Sequence, residues 1–471
     1  MASSNYDATI IGAGPSGLAC SYTLARAGKP ALVIEKDSEA GGLCRTIDFQ
    51  GNLFDIGGHR FLSKSPMINS LWREFLGNRL LLVKRLSRIY YNNKFFKYPL
   101  SFGDTFNNLG PLESTRCIAS FAAARIMPKK SDETFEGWLT NRFGKRLYEI
   151  FFETYTRKVW DLSSRDISAD WAVQRIKGLS LRVALKNALI KNGKRRPKTL
   201  AEEFHYPKRG PGEFFSKLKD SGEDNGARHD FGKTVTGIRH EGRKILALEV
   251  TIGRNQKSED IPVDYLFSSM PLSTFVRSLK PAPPDDVVHS GSQLRFRSFL
   301  TVNIIVDKKE LFPDQWIYVH SPQVKMGRIQ NFKNWSPDMI ADPETTSLGL
   351  EYFCSDRDEI WRKDDDDLIS FGIDELTRMG ILTRRNFIDG FVIRRKNVYP
   401  IYSIRYKDHL LALRRYLDRF DNLHLIGRGG LFRYGNSDHA MLTGIEAAKN
   451  YLQDTSREIW DLGAEQVYLE T

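Results

Sequence analysis

The chain has 471 residues, 41% apolar and 27% charged, a composition that excludes disordered and fibrous classes at a length one core seldom supports. Lysine and arginine outnumber aspartate and glutamate by 70 to 58, for a formal charge of +12, but the basic residues are scattered and no RNA-binding signature or recognition helix accompanies them, which excludes nucleic acid as a partner. Four cysteines (Cys20, Cys44, Cys117, Cys354) lie far apart with no CxxC pair, so zinc sites and disulfide frameworks are not indicated and a reducing cytoplasm suits the chain.

The polar lead carries no signal-peptide pattern, and the most apolar long stretch, Ile118 to Met127, contains Arg125; no integral membrane contact is expected. Residues 7–12 (DATIIG) read as a buried parallel strand, Pro15 to Gly28 as a helix and 31–35 (ALVIE) as a second parallel strand, together a βαβ unit. YYNNKFFKYPL reads as a hairpin turning at Asn92 and Asn93. From about 100 to 200 apolar residues recur every three or four positions, as in Phe135, Trp138 and Leu139, then Leu147, Ile150, Phe151 and Tyr155, which predicts an inserted helical domain. KNGKRRPK at 191–198 is a solvated basic connector.

Strand-type runs return with ILALEV (245–250), DYLFSSM (264–270) and FLTVNIIV (299–306), the last in a separate sheet. Asp364 to Asp367 precede LISFGIDEL, where acids favour a helix start, so they read as capping rather than metal binding. NLHLIG (422–427) is a last strand before a helix at about 437–452.

GAGPSG places Gly12, Gly14 and Gly17 at GxGxxG spacing between strand and helix. The first glycine makes the tight turn, the second admits a pyrophosphate to the backbone, and the third lets the helix pack closely, with its N-terminus facing the anion. Glu35, closing the second strand, is placed to accept ribose hydroxyls. A second cluster follows, Gly41 and Gly42 with Arg45, then Gly57 and Gly58 with His59.

That second cluster resembles the GG motif with trailing arginine of the FAD-dependent amine oxidase and protoporphyrinogen oxidase superfamily, and the resemblance implies FAD. Further matches over most of the chain point to the UDP-galactopyranose mutase branch: FDIGGHRFLSK, KVWDLSSRDISADWAVQRI, YPKRGPGEFF, QWIYVHSP, MGRIQNFKNWSP and IGRGGLFRYGNSDHAML. Arg428 stands where amine oxidases usually carry an acid. The implied fold is an α/β FAD-binding Rossmann-like fold of two-dinucleotide type, with an inserted helical domain and a β-sheet substrate domain. Its segments are 1–100, 205–285 and 420–471 for FAD, 101–204 for the helices and 286–419 for the substrate sheet.

By the same resemblance the cofactor contacts extend to Pro15, Ser16, Lys36, Gly42, Leu43, Arg45, Gly58, Val235, Gly427, Arg428, Asn436, Asp438 and His439. His59 lies against the isoalloxazine, Arg175 and Arg328 hold a diphosphate, and Tyr318, Trp335, Tyr399, Tyr434 and Asn436 line the substrate. The residue types suit the task, because a diphosphate calls for planar cations that donate bidentately and tyrosines supply phenolic donors. Otherwise, arginines in such positions serve surface ion pairs and tyrosines core packing.

The implied activity interconverts pyranose and furanose forms of a nucleotide sugar without net redox change. By the same resemblance, N5 of reduced FAD attacks the anomeric carbon and expels the nucleoside diphosphate, forming a sugar adduct, with NADPH or NADH eligible as reductant. Trp335 replaces a tyrosine of the eukaryotic mutases, and the spacing from Tyr434 to Asn436 is shorter, which leaves base and sugar open. The alternatives are an FAD oxidoreductase that removes hydride from an amine or an apolar substrate, and a non-catalytic flavoprotein scaffold or sensor. No catalytic metal is indicated.

Overall fold

A computed structural model of the protein describes residues 6–100, 102–128, 132–172, 202–253, 257–460 and 462. Arg175 and the basic 191–198 connector lie outside them.

Short, wholly apolar segments make the centre of the first domain. Thr9–Ile11 and Leu32–Ile34 are buried at every position, as strands of a parallel sheet covered on both faces must be. With Leu266–Ser268, Leu423–Leu425 and Arg228–Asp230 they form a five-stranded sheet, parallel throughout, in the order Leu423–Leu425, Leu266–Ser268, Thr9–Ile11, Leu32–Ile34, Arg228–Asp230. Strand order reverses at Thr9–Ile11, so a crevice opens beyond its carboxyl end. The helix Pro15–Arg26 leaves that end and packs against the last helix, Ser437–Gln453. A Cβ at Gly444 would lie 2.0 Å from the Ser16 carbonyl oxygen, so the two helices meet backbone to backbone. An antiparallel meander, Lys233–Glu241, Lys244–Ile252 and Lys257–Pro262, flanks this domain.

The second sheet has seven strands in the order Phe387–Pro400, Phe296–Val306, Thr346–Cys354, Arg328–Asn331, Trp316–Val319, Ser87–Tyr91, Lys94–Lys97. The expected hairpin is there, with Tyr91 opposite Lys94 and both Asn92 and Asn93 at positive φ (47° and 60°), the turn that matches strand twist. Within the 1–100 segment assigned to the flavin side, this hairpin instead completes the substrate sheet, pairing parallel with Trp316–Val319.

Phe102–Leu109, Pro111–Ile126, Phe135–Phe143 and Lys145–Trp160 form the helical insertion; the last element widens to π geometry at Glu149–Glu153. Its apolar positions Trp138, Leu139, Ile150 and Phe151 pack on Phe299 and Ile393 of the second sheet. The acid run behaves as a helix start: Asp364 is the N-cap of Asp365–Arg378, with no side-chain capping bond, and the next three aspartates occupy the first turn.

Candidate functional site

A cavity of about 640 Å³ runs from the crevice beyond Thr9–Ile11 to the face of the second sheet. At its first end the walls are backbone. Gly12 turns the chain at φ +100°, and a Cβ at Gly17 would lie 1.8 Å from the Gly12 carbonyl oxygen, so the helix can approach only without a side chain there. A Cβ at Gly14 would meet nothing within 4 Å. Gly14 is the N-cap of Pro15–Arg26 and makes no side-chain capping bond, leaving the first-turn N–H groups of the helix to an anion. Gly14, Pro15, Ser16, Gly42 and Leu43 line this end, and Gly42 closes over Gly14, its missing Cβ 3.1 Å from the Gly14 Cα.

Glu35 lines the cavity beside Lys36. The Ala13 and Asp37 N–H groups donate to its carboxylate at 2.7 and 2.9 Å; burial nevertheless raises its pKa. Val235 lines the opposite wall, next to a register shift between Val235 and Gly237. Gly17 and Arg45 are not in the lining: Gly17 serves helix packing, and Arg45, 6% exposed, pairs with Asp37 at 3.5 Å.

The segment Gly57–His59 bridges the two domains. A Cβ at Gly57 would lie 3.3 Å from the Glu351 carboxylate and one at Gly58 2.8 Å from Gln330 Nε2, so both glycines serve contact with the sheet. That contact sets His59 in the cavity wall, its Nε2 3.0 Å from the Ile56 carbonyl oxygen and its Nδ1 3.8 Å from Cys44 Sγ. Burial, reinforced by the Arg428 and Arg328 charges, draws the His59 pKa down to about 4, so the ring is neutral at pH 7.

At the far end the walls are side chains. Tyr318 and Arg328 stand directly opposite each other on antiparallel strands, and both line the cavity. Arg328 is held by Glu351, which is fully buried: Nη2 and Oε2 are 2.5 Å apart, and Gln330 donates to the other carboxylate oxygen at 2.7 Å. Trp335 also lines the cavity, but its indole N–H donates to the Gln315 carbonyl at 3.0 Å and its ring stacks on Trp316. It therefore contributes a ring surface and no donor.

Tyr399 stacks on Tyr434 at 5.9 Å, and Arg428 faces both rings, 5.3 and 4.9 Å from their centroids. Arg428 donates to the Gly435 carbonyl through Nε and Nη2 (3.1 and 2.6 Å), tying down the loop that carries Tyr434. Asn436 lines the cavity and caps Ser437–Gln453 in a reciprocal box with His439. Gly427, Asp438 and His439 stand behind the wall: Gly427 packs on Ser16, and Asp438 is 1% exposed.

The hairpin bearing Tyr318 and Arg328 is secured from both sides. Lys158, on the helical insertion, donates from Nζ to the carbonyls of Val319, Ser321 and Met326 at 2.8, 2.8 and 3.3 Å. Glu375 accepts the N–H groups of Lys325 and Met326.

Sequence reasoning missed Asp37, Cys44, Arg60, Gln330 and Arg395, all in the lining, and Glu351 behind it. Glu351 alone left a signal, a single carboxylate inside the otherwise apolar LGLEYFC. Among the described residues no group of three or more His, Cys, Asp or Glu could hold a metal ion, and no helix is long and apolar enough to cross a membrane.

The family model for flavin-containing amine oxidoreductases matches residues 15–450. The chain belongs to this flavin-containing family. The fold is similar to that of a reduced UDP-galactopyranose mutase (21% identity, TM-score 0.83, covering 99% of this chain and 98% of that one). It also resembles a fatty acid isomerase of P. acnes that produces CLA (14% identity, TM-score 0.62, 96% and 100% covered). Both likenesses support the α/β flavin-binding fold with its sheet domain. The all-trans-retinol 13,14-reductase of Danio rerio is 47% identical over 53 residues, which are 11% of this chain and only 9% of that protein. The family's flavin fits the glycine-walled end, where the open space at Gly14, the uncapped helix and the Glu35 carboxylate suit a pyrophosphate and a ribose.

Proposed function

We propose that the protein binds FAD and, with the flavin reduced, interconverts pyranose and furanose forms of a nucleotide sugar. The observation carrying this reading is the pair Tyr318–Arg328, set opposite each other in the wall that His59, Tyr399 and Tyr434 complete. Arg328, oriented by Glu351, offers its remaining N–H donors to diphosphate oxygens, and the phenols of Tyr318, Tyr399 and Tyr434 orient the same group. Arg60 and Arg428 add further cations at this end, and the family resemblance adds Arg175 as a diphosphate ligand. Reduced flavin supplies the nucleophile. The chain's share is to hold the diphosphate as it departs and returns, to keep His59 neutral beside the ring, and to exclude water with the aromatic wall.

The test is anaerobic incubation of dithionite-reduced protein with a panel of pyranose and furanose nucleotide sugars, followed by chromatography. Ring isomerisation in the reduced state only is expected, with loss of turnover in Arg328→Ala. Normal turnover in that variant, or no perturbation of the flavin spectrum by any nucleotide sugar, would sink the reading.

A second reading has its own observation. Glu351 offsets the Arg328 charge and the far wall is rich in Trp316, Trp335, Tyr399 and Tyr434 rings, a surface also suited to an apolar substrate oxidised by hydride removal. Aerobic flavin reduction by an amine or apolar compound, without isomerisation of sugars, is the result that would favour it.

A further inference from the structure

One ion cluster spans the cavity between the two domains and has no role in the chemistry above. Asp37, two residues past Glu35, receives Arg395 from the second sheet, Nη1 lying 3.1 Å from each carboxylate oxygen, and Arg45 from its own domain at 3.5 Å. Two guanidinium groups on one carboxylate leave a surplus positive charge. Asp37 and Arg395 line the cavity at the end where Gly14, Glu35 and Lys36 lie.

Arg395 gets there by a distortion of its strand. In the pairing of Phe387–Pro400 with Phe296–Val306, Phe299 faces Arg395 and Arg297 faces Tyr399, so Phe387–Pro400 runs two residues longer across this interval. Asn397, at φ +57°, sits inside the irregularity. Bulges of this kind re-aim side chains. The bulged strand thus touches the cavity at both ends, through Arg395 at Asp37 and through Tyr399 at the Arg428–Tyr434 cluster.

We propose that Arg395 retains the cofactor: held by Asp37, it closes the second sheet over the adenosine half of FAD and gives its remaining N–H donors to phosphate or ribose oxygens of the dinucleotide. The inference rests on the FAD reading but not on the mutase reading. A dinucleotide anion accepts from the N–H donors that Arg395 presents to the cavity and balances the surplus charge of the cluster, and Asp37 fixes the fork that meets it.

The experiment is the rate of FAD release from purified holoprotein, read as recovery of free-flavin fluorescence after dilution into FAD-free buffer. Loss of a charge-assisted contact in Arg395→Met should speed release by about tenfold or more, with Arg395→Lys intermediate. Asp37→Asn should also release faster, and the double variant no faster than Arg395→Met alone, because the two act as one unit. Melting of the flavin-free protein should move by no more than about 2 °C in Arg395→Met, since a partly exposed ion pair contributes little to the fold itself. Release within twofold of wild type in both Arg395 variants would overturn the proposal. So would faster release accompanied by an equal loss of stability in the flavin-free protein, which would mark a merely structural role. A wild-type protein that takes up no FAD at all would instead overturn the cofactor reading, and this proposal with it.

Discussion

At the dinucleotide end of the cavity the working parts are glycines and N–H groups from one continuous βαβ stretch, Thr9 to Glu35, with Gly42 folded over it. At the sheet end they are side chains from Gly57–His59, Trp316–Val319, Arg328–Asn331, Tyr399 and Tyr434, segments that meet only because the seven-stranded sheet and the last helix bring them together. A site made mostly of backbone tolerates no bulk where chain meets chain and has few side chains to lose, Glu35 foremost. A site made of side chains depends on the buried partners that aim them.

The difference can be broken at either end. Gly17→Val should have the largest effect, since its side chain would be driven into the Gly12 carbonyl; we expect a loss above about 4 kcal/mol, seen as little folded protein or a collapsed denaturant midpoint. Glu351→Ala should come next, costing about 3–5 kcal/mol by stranding the Arg328 charge against a buried wall, while Glu351→Gln restores part of it. Both are read by urea unfolding.

Acid should act through histidines held neutral in buried or half-buried sites. Burial holds His59, His320 and His424 at about 4, 3 and 4, below the ordinary value near 6.5, so the unfolded chain binds protons first as pH falls. Their contribution is whole above about pH 6.5 and is lost as pH drops through the folded values, up to about 3 kcal/mol for His59. Asp55, pushed up to about 7 by burial, acts in the opposite sense. The clean measurement is therefore the difference between wild type and His59→Asn, whose stability should fall less steeply between pH 6 and 4.5. Parallel curves would remove His59 as a titrating group.

Gly14→Val should change the fold least. Its φ of −81° suits any residue and its Cβ points into open space, so the flavin-free protein should melt within about 2 °C of wild type yet purify colourless. A yellow Gly14→Val protein would show that the pyrophosphate lies elsewhere.

These contrasts also explain what the sequence made legible. Glycine spacing reports backbone geometry directly, so Gly12, Gly14, Gly17 and Glu35 could be read as a unit, and Asn92–Asn93 betrayed their hairpin. The hairpin's membership of the second sheet could not be read, because pairing of Ser87–Tyr91 with Trp316–Val319 is a contact across more than 200 residues with no local pattern. For Arg328 the family resemblance implied an anion, but its buried partner Glu351 lies on a neighbouring strand. Trp335 illustrates the reverse: it stands in the wall, with its one donor already engaged by Gln315. Gly57 and Gly58 stand out in the sequence beside His59, but only the packing on Glu351 and Gln330 shows why they must be small.

Lys158 gives the far end a mechanical property. Its Nζ gathers the carbonyl of Val319 and those of Ser321 and Met326 in the following turn onto the helix Thr154–Trp160, and the same helix sets Tyr155 beside Tyr318, 5.8 Å between ring centroids. The hairpin is therefore tied to the helical insertion through Thr154–Trp160. Widening the cleft by moving the turn would draw that helix with it, and a label on the outer helix Pro111–Ile126 is expected to register the admission of a ligand, as a change in its mobility on adding a nucleotide sugar.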